Sequence, residues 1–169
     1  MSDRTQALAA QFEKNSHAVI IFAEQCSMDD WRLITDDERW SVGVVCRHIA
    51  RGFEVHPQLI RQAATGQPMP TGYTWDAVHE SNAQQAREWA DCTKEKTLAL
   101  LRRHSDAAAD VVRQLSDAQL DRTTKSPLDD VIVSVQQMVE GMIDHPRIHL
   151  TSLRATVGGQ SVGRQEGTK

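Results

Sequence analysis

The chain has 169 residues, 40% of them hydrophobic and 25% charged, with a formal net charge of −4 and a pI near 5.9. That length suits one ordinary domain with a real core, and the acidic balance offers no basic footprint for nucleic acid. No run reaches the roughly 18 apolar residues that span a bilayer, and the polar opening MSDRTQALAAQFEK lacks the apolar core of a secretory signal. Three cysteines (Cys26, Cys46 and Cys92) form no CxxC pair, which suits a reduced, cytoplasmic setting.

Taken in chain order, the hydrophobic pattern is helical throughout. Leu8, Phe12, Val19, Phe22 and Cys26 recur at helical spacing and predict a first helix from Thr5 to about Cys26. Residues 27–40 are polar and rich in aspartate, and read as a connector. Ser41 is placed to cap a second helix running to about Ala64. TGQPMPTGYT (65–74) carries two prolines and two glycines and reads as a loop. A long third helix is expected from Trp75 to about Arg103, with an extension towards Leu115. SDAQLDRTTKSP (116–127) reads as a short helical turn and a loop. The fourth helix is expected from Leu128 to about Val157, and residues 158–169 form a frayed polar tail. No strand is predicted. The fold class is therefore all-α, a four-helix bundle in a single domain over residues 1–157.

The fourth segment contains MIDHPRIHLTSL, with His145 and His149 one turn apart. At 100° per residue, Leu128, Val131, Val135, Met138, His145, His149 and Leu153 all fall within about 60° of Met142. Both imidazoles thus point into the bundle, where a neutral ring needs partners for two nitrogens. An i,i+4 pair puts both rings on one face, at a separation one metal ion can bridge. The competing reading is a pair of core histidines satisfied by protein groups. Pro146 between them removes a backbone N–H and predicts a kink or a break.

A third inward histidine lies on the second helix. Ser41, Val44, Gly52, Val55 and Leu59 fall within about 40° of His48. Gly52, one turn on, leaves room for a close neighbour. Cys46 points about 160° away from His48, and His56 sits on the margin at about 80°. His17 and His104 are assigned to solvated positions, and His79 stays a minor candidate. Asn15 reads as an interior asparagine bonded to backbone. Asn82 shares a face with Val78, Ala86 and Trp89.

These residues resemble a known group. Trp40-Ser41 followed by His48, and the late His145/His149 pair, are similar to the DinB/YfiT-like superfamily of metalloenzymes. The asparagine-bearing segment DAVHESNAQQAREWA and the LSDAQLD run agree, so the resemblance covers about residues 5–157. Within the superfamily, the pattern looks nearest to the N-terminal domain of mycothiol-dependent maleylpyruvate isomerases. The resemblance implies a four-helix bundle in which His48, His145 and His149 hold a divalent metal with open coordination positions. It also implies a pocket role for Asn82 in substrate binding. Pro146 departs from the pattern, and the isomerase activity itself is not carried over.

Three neutral imidazoles suit zinc, nickel or iron, and the sequence does not choose among them. The expected activity is a thiol S-transferase, isomerase or hydrolase acting on a small molecule, with a low-molecular-weight thiol as cosubstrate. No catalytic base can be named from the inward face. No nucleic-acid or membrane partner is expected, and a homodimer is implied by the resemblance. Two other readings stay open: a non-catalytic bundle that binds a metal or small ligand, and a helical interaction protein with structural histidines.

Overall fold

The structure is a computed structural model. It describes the backbone of residues 2–72 and 74–166, and the side chains of residues 2–72 and 74–159. In chain order the elements are α1 (Asp3–Gln25), α2 (Met28–Arg32), α3 (Val42–Ala64), α4 (Trp75–Glu88), α5 (Lys94–Arg113), α6 (Asp117–Leu120), β1 (Thr123–Lys125), β2 (Ile132–Ser134) and α7 (Val135–Glu166). The long helices α1, α3, α5 and α7 form the bundle. None of the described helices is long and apolar enough to cross a membrane.

Packing gives the bundle its topology. Helix α1 lies against α5 and α7, and α3 lies against the same two. The first two bundle helices are therefore diagonal rather than adjacent, and Phe12 meets Phe53 across that diagonal, ring centroids 5.1 Å apart and edge to face. Around this pair are buried Val19, Ile49, Leu101, Val112, Met142 and Leu153. Each fully buried aliphatic or aromatic side chain contributes about 1.5–3 kcal/mol. The consequence for function is that α3 and α7 are neighbours, so their inward faces meet.

Helix starts follow local capping. The Ser2, Ser41, Thr74 and Thr93 side chains each accept a hydrogen bond from the backbone N–H three residues on. Ser41 caps α3 as its sequence predicts, its Oγ accepting from Val44 N at 3.2 Å. Ser27/Asp30 and Ser116/Gln119 form capping boxes for the short helices α2 and α6.

Four expectations need correction. The third predicted helix is two: α4 ends at Glu88 with Trp89 as its C-cap, and Thr93 caps the start of α5. The break is held by tertiary contacts. The indole N–H of buried Trp31 donates to Cys92 O at 3.1 Å, and the Arg47 guanidinium lies 4.7 Å from the centre of a Trp89 ring.

The fourth helix begins at Val135, not Leu128. Thr123, Thr124 and Lys125 pair antiparallel with Ser134, Val133 and Ile132, so a small hairpin occupies a stretch expected to be helix and loop. Ser134 ends that hairpin and starts the helix. Its Oγ accepts from Gln137 N at 3.1 Å, while Gln137 Oε1 accepts from Ser134 N at 2.8 Å. Leu128 and Val131 consequently lie off the α7 stripe, and Val131 is exposed.

Helix α7 also runs past Val157 to Glu166, where a frayed tail was expected. Gly158 and Gly159 weaken a helix but neither takes a positive φ that would stop one. Residues 167–169 lie outside the described residues. Finally, the 27–40 connector is structured: beyond α2, Ile34 and Ser41 form an isolated antiparallel bridge that closes a short loop.

Pro146 does not break α7, and Pro57 likewise sits inside α3. Proline at 146 deprives the Met142 carbonyl of its i+4 donor. In the same turn, Asn15 on α1 donates through Nδ2 to Ile143 O at 2.9 Å. Asn15 is thus the backbone-bonded interior asparagine expected.

Candidate metal centre

His48 on α3 and His145 and His149 on α7 converge. One ring nitrogen from each lies within 4.8 Å of the others, and all three rings are half-buried. Ring centroids are 5.2 Å apart for His48–His145, 5.0 Å for His48–His149 and 4.8 Å for His145–His149. The Nε2 atoms of His48 and His145 face each other at 3.3 Å. Two imidazole nitrogens on one tetrahedral zinc, at about 2.0–2.1 Å each, stand about 3.3 Å apart. The His48–His145 pair therefore has the spacing, and the three imidazoles the donor chemistry, of a divalent-ion site.

The protonation states fit as well. Burial, reinforced by His149 and His56, lowers His48 from its ordinary 6.5 to about 4, with Glu38 pulling weakly the other way. Burial and the three neighbouring imidazoles push His145 well below the usual range. Neutral imidazole is the form that ligates a metal.

Room for His145 comes from Gly52. A Cβ there would lie 2.7 Å from His145 Cε1 and 3.0 Å from its Nδ1, closer than side chains tolerate. The sequence pointed to a close approach at Gly52, and the neighbour is His145. Trp40 packs edge-on to His48 at 5.5 Å between ring centres.

Sequence reasoning missed Glu38. It lies in the loop closed by the Ile34–Ser41 bridge, next to Arg39, whose φ of 60° is left-handed. His149 Nδ1–H donates to Glu38 Oε1 at 2.7 Å, and Ser152 Oγ donates to Oε2 at 2.8 Å. Burial would raise this carboxyl, but hydrogen bonds from His149, Thr35, Ser152 and its own backbone bring it down to about 2. With Nδ1 engaged, His149 has its Nε2 left for the centre. Only the acidic run DDER hinted at a carboxylate here; its reach to α7 is a tertiary fact.

The other histidines divide. His56, two turns after His48, meets His145 edge to face at 5.0 Å, and burial lowers it to about 4. His104 corrects its expectation of a solvated place: it is buried, with Nδ1 donating to Ala50 O at 2.9 Å and Nε2 accepting from Arg103 at 3.1 Å. His17 is exposed as expected, and His79 is exposed on α4, stacked on Trp75. Cys46 is fully buried in the core, away from the triad. Asn82 sits half-buried on α4, an element that supplies none of the three ring nitrogens.

Residues 12–143 match the model of the mycothiol maleylpyruvate isomerase N-terminal domain, which stops just short of His145. The chain belongs to this family. Among solved structures, this mycothiol isomerase-type domain is similar to YfiT from Bacillus subtilis, described as a probable metal-dependent hydrolase with an unusual four-helix bundle topology. The TM-score is 0.73 at 18% identity, over 94% of this chain and 90% of that one. It is also similar to the DinB-like protein YjoA from Bacillus subtilis, with a TM-score of 0.64 at 16% identity over 92% of each chain. No curated protein matches the chain in sequence. The domain thus has the DinB/YfiT-like four-helix bundle fold, with a three-histidine cluster between α3 and α7.

Proposed function

We propose that this domain is a metal-dependent enzyme in which His48, His145 and His149 hold a divalent ion, zinc, nickel or iron. It acts as a thiol S-transferase, isomerase or hydrolase on a small molecule. The carrying observation is the convergence of three imidazole nitrogens at metal-ligand spacing. A divalent ion on three neutral ligands keeps its charge and open positions, and supplies Lewis acidity to an oxygen or sulfur ligand. The description of YfiT as a probable metal-dependent hydrolase supports the hydrolytic variant, and the mycothiol family supports the thiol-dependent one.

The chain's own residues have distinct tasks in this reading. Glu38 orients His149 and fixes its tautomer. Trp40 shields one side of His48 from water. Asn82 is the substrate contact that the family resemblance implies; the next residue, Ala83, lines a cavity of about 890 Å³ shared with Trp40, and none of the three histidines lines that cavity.

The test is elemental analysis of protein purified without a histidine tag, beside His48→Ala. About one divalent metal per chain, lost in the variant, is expected. Metal-free wild type that cannot be reloaded with zinc, nickel or manganese would remove the enzyme reading. Turnover of an electrophile panel with and without added thiol then separates transferase or isomerase from hydrolase.

A further inference from the structure

The cavity beside Trp40, about 890 Å³, is within the size range of small-molecule sites. It lies where α2, the loop before α3, α4 and the start of α5 meet. Trp31, Trp40, Val44 and Ala86 belong to its apolar wall. Three arginines from three different elements also line it: Arg32 from α2, Arg39 from the loop and Arg87 from α4. Arg32 has only a 4.0 Å contact with Asp29, where both side chains are exposed. Arg39 and Arg87 have no ion pair or hydrogen bond among the described residues. Asp91 and Glu95 line the cavity too, and neither is paired with these arginines. The cations outnumber them, in a chain whose net charge is −4.

Arg39 is the most telling of the three. Its φ of 60° is left-handed, a conformation that glycine takes without steric cost and arginine does not. The loop is pinned on both sides of it. Trp40 O accepts from Thr35 N at 2.8 Å, and Glu38 accepts from His149 at 2.7 Å. Strained residues persist where their surroundings hold them, and they gather at ligand sites. Here the strained residue sets an unpaired guanidinium on the cavity. A planar guanidinium pairs with a carboxylate or sulfonate through two parallel hydrogen bonds. We propose that this cavity binds a small organic anion, its flat apolar body against Trp40 and its anionic group on Arg39 and Arg87. This goes beyond the metal-centre reading and does not depend on it. Arg39 stands between Glu38 and Trp40, which touch His149 and His48, so the anion is held one residue from both.

Two dyes that differ by one sulfonate test the site: 8-anilinonaphthalene-1-sulfonate and the uncharged N-phenyl-1-naphthylamine. Fluorescence titrations compare them on the protein as purified. Wild type should bind the sulfonate about tenfold tighter than the uncharged dye. Arg39→Gly should lose most of that preference while its urea midpoint holds or rises, because glycine relieves the left-handed backbone. A residue that served folding alone would not separate those two readouts. Arg87→Gln, at an exposed position of α4, should lower the preference too. Ala90 is exposed and lines the cavity, so Ala90→Trp should weaken both dyes several-fold. Arg154 is exposed and outside the cavity, and Arg154→Gln should change neither dye. Equal affinity for the two dyes in wild type, or a preference that survives both Arg39→Gly and Arg87→Gln, overturns the proposal. So does dye binding indifferent to Ala90→Trp, or a preference lost equally in Arg154→Gln. His48→Ala should keep the preference; its loss there would put the anion on the metal centre and overturn the cavity site. Wild type that holds no zinc yet prefers the sulfonate sinks the metal reading alone.

Discussion

Glu38 and His149 are 111 residues apart in sequence and share a 2.7 Å hydrogen bond. The side chains are 12% and 18% exposed, so water screens the pair little. Removing such an outer partner of a metal-ligating histidine costs about 10–100-fold in metal affinity. Glu38→Ala should therefore weaken zinc by about that factor in competition with a chelator. Glu38→Gln, which keeps an acceptor for Nδ1–H, should restore most of it. Equal zinc affinity in all three proteins would make Glu38 a bystander.

Acid should destabilise the metal-free protein in two steps. His48 and His56 fall from 6.5 to about 4 on folding, so the unfolded chain takes up protons first. Their stabilisation is complete above about pH 6.5 and is lost as pH falls towards 4. A shift of that size corresponds to on the order of 3 kcal/mol for one such group. Glu38, lowered from 4.5 to about 2, adds a second loss in the same direction below about pH 4.5. Thermal melts from pH 7.5 to 3 should show the first decline flattened in His56→Phe. Midpoints in both proteins that hold level down to pH 4.5 would contradict the assignment.

Helical spacing put His145 and His149 on one face and His48 at the centre of another, and it was the family resemblance that joined the three into one cluster. Glu38 was not legible, since its position depends on a loop folding back onto α7. The α4–α5 break escaped for a related reason. Val78, Ala86 and Trp89 carry a helical stripe right up to it, and the contacts that hold it, Trp31 to Cys92 and Arg47 to Trp89, are long-range. The start of α7 was written locally, in the Ser134-x-x-Gln137 capping box, but Leu128 and Val131, in helical register with Val135 and Met138, masked it. His104 looked polar among its helix neighbours; its burial comes from the Ala50 carbonyl on α3.

Gly52→Ala probes the fit between α3 and α7. Alanine favours a helix over glycine by about 1 kcal/mol. Its methyl would nevertheless meet the His145 ring at 2.7 Å, and overpacking of this kind costs about 1–3 kcal/mol. Turning the ring away relieves the clash but removes its nitrogen from the triad. Zinc affinity should consequently fall more than tenfold while the metal-free protein loses no more than about 2 kcal/mol in urea unfolding. Loss of stability with zinc affinity intact would mean that the ring stays and the helices part instead.

Asn15 and Pro146 should be coupled. Proline leaves the Met142 carbonyl without its helical donor and crowds the turn around it, and Asn15 Nδ2 donates to the next carbonyl, Ile143 O, at 2.9 Å. Asn15→Ala withdraws that donor from a part-buried carbonyl and should cost about 1–2 kcal/mol. Pro146→Ala restores an N–H and lets the turn close on itself, so the same Asn15→Ala change should cost less in that background. A double-mutant cycle in urea should give a coupling of about 0.5–1 kcal/mol. If the two effects simply add, Asn15 ties α1 to α7 without compensating for the proline. A positive coupling would mean that α1, which contributes no ligand, helps α7 carry His145 and His149 through a proline that would otherwise disturb their alignment.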